Sequence, residues 1–118
     1  QSRDGEYLDA ATDSPVGYWA FEPPAKGAML PCAGQDDWVT MRWDMPWFKA
    51  FRRGYVLERK RMQSILRWLT TTGRQFGVAR IFLEPHLKAS LGIDSDIVRF
   101  QGCRAARHDD HIHLEIRP

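Results

Sequence analysis

The C-terminal segment has little choice of conformation. From His111 to Ile116 the chain reads His-Ile-His-Leu-Glu-Ile, with polar and apolar residues in unbroken alternation. A period of two belongs to a strand with one covered face. It sends Ile112, Leu114 and Ile116 toward a core and sets His111, His113 and Glu115 in a row on the other side. Two histidines so placed are roughly 6.5 to 7 Å apart at the backbone, near enough for their rings to lean together.

That row belongs to a denser cluster. His108, His111 and His113, three of the four histidines in the chain, fall within six positions, with Asp109 and Asp110 among them. Neutral imidazole is a common metal ligand and a proton carrier near neutral pH. A neighbouring carboxylate can orient an imidazole from behind. One histidine can thus bind a metal while another manages the proton of a water. The competing reading is a polar, exposed strand end. His86 stands apart at a helix start and reads as a surface or capping residue.

Upstream, helix and strand signals alternate. Met62, Ile65, Leu66 and Leu69 recur at helical spacing, and Thr70 to Gly73 reads as the stop. Asp44 and Pro46 suit the start of an earlier helix that carries Trp47, Phe48 and Phe51. The charges Arg52, Arg53, Glu58, Arg59, Lys60 and Arg61 read as a solvated face, with a clamp for a substrate carboxylate as the alternative. Val78 to Leu83 is a strand ended by Glu84-Pro85. His86 to Leu91 is a short helix stopped at Gly92, and Ile97 to Phe100 a short strand or turn. Residues 1–40 read as largely irregular, punctuated by Pro15, Pro23, Pro24, Gly27, Pro31 and Gly34. The expected fold is therefore α+β, one domain over residues 1–118, with a small antiparallel sheet carrying the site and helices packed on one side.

Composition excludes several classes. A net charge of +2 over 118 residues gives no ground for a nucleic-acid partner. No apolar run approaches the roughly 20 residues of a membrane span. Gln1-Ser2-Arg3-Asp4 is not the start of a signal peptide. Cys32 and Cys103 are either two buried thiols or a disulfide, and spacing does not decide between them.

The segment Arg107-His108-Asp109-Asp110-His111-Ile112-His113-Leu114 resembles the C-terminal motif of the LAS-type zinc peptidases. These include lysostaphin-like enzymes, D-Ala-D-Ala peptidases and penicillin-insensitive murein endopeptidases, and the likeness is greatest to the last group. Ala79 to Pro85, with Leu87, Lys88 and Leu91, is similar to that family's strand and helix ahead of the catalytic strand; Trp43-Asp44 and Trp47 match more loosely. The resemblance implies zinc as cofactor, His113 as a metal ligand, His111 as the base that orients water, and His108 as a stabiliser of the transition state or a substrate contact. It also implies hydrolysis of peptide cross-links in peptidoglycan, in the periplasm, cell envelope or secreted. A degenerate domain that binds cell-wall peptides without cutting them is the alternative. The family draws two more ligands from an upstream His followed seven positions later by Asp. Here the residue seven after His86 is Ile93, so those ligands are expected from a part of the protein ahead of Gln1.

Overall fold

A computed structural model describes residues 24–34, 57–105, 108 and 111–118. The expected helix from Asp44, together with Asp109, Asp110, Arg107 and most of the irregular N-terminal region, lies outside the described residues. Residues 24–34 contain turns and no helix or strand.

Six elements follow in the order α1 Arg59–Thr70, α2 Thr72–Gln75, β1 Val78–Phe82, α3 Pro85–Ser90, β2 Val98–Arg99 and β3 His113–Ile116. The class is α+β. Helix α1 starts where the Glu58 carboxylate accepts the Arg61 backbone N–H at 2.7 Å, satisfying one of the donors a helix start leaves open. It ends where Thr71 donates through both its N–H and its hydroxyl to the Arg67 carbonyl. Leu66 and Leu69 are buried as the spacing predicts, whereas Ile65 on the same stretch is exposed. Arg59, Lys60 and Arg61 are exposed, in keeping with a solvated face. Pro85 occupies the first turn of α3, where its missing N–H costs nothing.

The sheet has the order β2-β1-β3. β1 pairs antiparallel with β3 and parallel with β2, so the sheet is mixed rather than wholly antiparallel. The parallel pair arises because α3 carries the chain over between β1 and β2, as parallel neighbours require. The Lys88 ammonium holds the return of that crossover, donating to the Ser95 and Val98 carbonyls at 2.9 and 2.8 Å. In β1, Val78 pairs with Ile116 and Arg80 with Glu115, so Ala79 is one residue extra. Such a bulge explains how Val78 and Ile81, three apart, both reach the core.

The core gathers Leu66 and Leu69 from α1, Ile81 and Leu83 at β1, Leu87 and Leu91 at α3, and Val98 from β2. Burying such a side chain contributes about 1.5 to 3 kcal/mol. On β3 the face is the expected one, since Leu114 pairs with Ile81 and Ile116 with Val78. The burial is not as expected: Ile112 packs against the core, but Leu114 is 43 % and Ile116 63 % exposed. β3 is an edge strand, with no strand on its far side among the described residues. Cys32 and Cys103 are joined in a disulfide with Cα atoms 5.4 Å apart, tying the 24–34 segment to the stretch that leads into His108. Among the described residues no helix is long and apolar enough to cross a membrane.

Candidate metal centre

The three histidines of the C-terminal cluster meet. Phe82 at the end of β1 lies opposite His113, the first residue of β3. Because Phe82 and His113 are paired one step beyond Ile81 and Leu114, they face away from the core. The His108 ring sits against them, 6.2 Å from the Phe82 ring and 4.4 Å from that of His113, edge-on at 80°. The His111 ring completes a triangle, 5.1 Å from His108 and 4.9 Å from His113.

Burial grades across the triangle. His108 is 1 % exposed, His111 is half-buried and His113 is exposed. The backbone of His108 is fixed by Glu84, itself buried. The Glu84 N–H donates to the His108 carbonyl at 3.1 Å, and the His108 N–H donates to Glu84 Oε1 at 3.3 Å. One residue at the end of β1 thus satisfies both backbone groups of His108. Sequence reasoning read Glu84 only as the end of a strand; the signal available was a carboxylate wedged between Leu83 and Pro85.

Nε2 of His108 and Nδ1 of His113 are 3.1 Å apart, within hydrogen-bond range. Two nitrogens bound at about 2.0 to 2.1 Å to one tetrahedral ion would stand roughly 3.3 Å apart, so the same spacing also suits a shared metal. One nitrogen from each of the three rings falls within 4.8 Å of the others. The cluster can therefore hold a metal ion. Its all-imidazole donors fit zinc, copper, iron or nickel, and are a poor match for calcium or magnesium, which take oxygen.

His86 is not part of this centre. It lies on α3 and is buried, against the expectation of a surface position. It also lines a cavity together with the 25–28 turn, Arg59, Ala89 and Ser90. Comparison with protein families, with curated proteins and with solved structures finds no match to this chain.

Proposed function

We propose that this protein is a zinc-dependent peptidase of the cell envelope that hydrolyses peptide cross-links of peptidoglycan. The observation that carries the proposal is the convergence of His108, His111 and His113, graded from buried to exposed, at the start of β3. The resemblance of residues 107–114 to the LAS-type motif supports the substrate class. When bound, zinc supplies Lewis acidity and a water that ionises near neutral pH.

The residues divide the remaining work. His108, buried and clamped by Glu84, engages Nδ1 of His113 and leaves the other ring nitrogen of His113 for the metal. His111 takes a proton from the attacking water and returns it to the leaving amine. In this arrangement the other ligands are the upstream His and Asp that the resemblance expects. A second arrangement, in which all three histidines ligate, is favoured by the 3.1 Å spacing of His108 and His113. Purified cross-linked muropeptides, incubated with the zinc-loaded protein, test the proposal. Mass spectrometry should detect release of uncross-linked products, and a metal chelator should stop it. Stoichiometric zinc with intact cross-links would leave only a binding domain.

A further inference from the structure

The sheet face that carries His113 continues away from the metal centre. Phe82 pairs with His113 and Arg80 with Glu115, so β1 and β3 present both pairs on one side. Arg117, directly after β3, reaches Glu115 from that same side. Along the face, the three histidines come first, the half-buried Phe82 ring stands beside them, and an Arg-Glu-Arg group follows.

That group is unbalanced. Arg80 Nη1 donates to Glu115 Oε2 at 2.9 Å, and Arg117 Nη2 donates to Glu115 Oε1 at 3.4 Å. One carboxylate is divided between two guanidiniums, which leaves one positive charge over. Among the described residues, Glu115 is the acid that pairs with either arginine. A guanidinium carries five N–H donors, so most of each fork stays open. The Arg80 side chain is 39 % and the Arg117 side chain 61 % exposed, so a solute can reach both. A cross-strand pair that helps hold β3 on β1 needs one arginine. The second adds charge without adding an acid.

A guanidinium fork takes a carboxylate through two parallel hydrogen bonds. Glu115 is two positions from His113, roughly 6.5 to 7 Å along the strand. An extended peptide covers that distance in about two residues. We propose that Arg80 and Arg117 bind a free carboxylate of the substrate, within about two residues of the bond held at the metal centre, while the intervening part lies against Phe82. The inference rests on the peptidase reading for what the carboxylate belongs to, an acidic cross-linked peptide. The carboxylate itself follows from the two arginines.

Two measurements separate the inference from that reading. Isothermal titration of the zinc-loaded protein with N-acetyl trialanine and with its C-terminal amide reports on the carboxylate alone. The acid should bind about tenfold or more tighter than the amide, as charge-assisted hydrogen bonds require. Arg80→Gln and Arg117→Gln should each weaken the acid. Their combination should bring it to the affinity of the amide, which should not change. Zinc content should match the parent, since neither arginine belongs to the histidine cluster. Exposed ion pairs contribute little to stability, so the variants should melt near the parent. The second measurement is cleavage of cross-linked muropeptides with free and with amidated carboxylates. Preference for the acid with no cleavage of either muropeptide supports the carboxylate site and removes the peptidase. Equal kcat/KM on both muropeptides, equal affinity for acid and amide, or an acid preference that survives the double substitution would overturn the inference.

Discussion

His108 Nε2 lies 3.1 Å from His113 Nδ1, so the most buried and the most exposed ring of the cluster are in direct contact. A contact of that kind either orients a ligand or joins two ligands. The two cases separate on mutation. With His113 the ligand and His111 the base, His113→Ala should lose zinc and activity together. His111→Ala should keep zinc and slow hydrolysis by about 10²- to 10⁴-fold. Zinc content and turnover measured on the same samples give the answer. Zinc loss in His111→Ala as complete as in His113→Ala would identify both as ligands.

Glu84 positions the cluster through the backbone of His108. Glu84→Ala removes the side-chain acceptor, whereas Glu84→Gln retains one. Zinc affinity should fall by about 10- to 100-fold in the alanine variant and recover largely in the glutamine variant. Equal losses in both would mean that the charge of Glu84, rather than its hydrogen bond, matters.

Gly77 has φ 89° and accepts the Arg117 N–H at 2.9 Å. A Cβ there would run into the Arg117 carbonyl oxygen and lie 3.2 Å from Ile116 Cγ2. Strain and collision act together, so Gly77→Ala should destabilise the fold by about 2 kcal/mol or more. Urea denaturation followed by circular dichroism would measure the loss. An unchanged midpoint would show that the C-terminal residues yield without cost.

The Cys32–Cys103 bridge closes a separation of 71 residues. By loop entropy, its removal should cost roughly 4 kcal/mol. Denaturation of the protein with and without reductant tests this, and non-reducing mass spectrometry should find no alkylatable thiol. Two reactive thiols in the folded, air-exposed protein would contradict the bridge.

The local elements were legible in the sequence because short-range periodicity decides them. Met62, Leu66 and Leu69 announced α1, and Val78 to Leu83 announced β1. Alternation from His111 also told which side chains share a face. It did not tell how far the core extends, so Leu114 and Ile116 face the right way and still meet solvent. His86 is buried although it lies at a helix start, because burial is set by long-range packing that local spacing does not report. The same long-range term hid the role of Glu84 and left the cysteines undecided.

The extra residue in β1 acts as slack in the chain. Removing Ala79 would leave Val78 opposite Ile116 and Arg80 opposite Glu115, and would restore plain alternation from Val78 to Leu83. A deletion there is therefore tolerable. An insertion between Ile81 and Phe82 has no such reserve. It moves Glu84, which holds His108, one step out of phase with His113, and turns neighbouring side chains to opposite faces. Within one five-residue strand, length is negotiable at the start and fixed at the end.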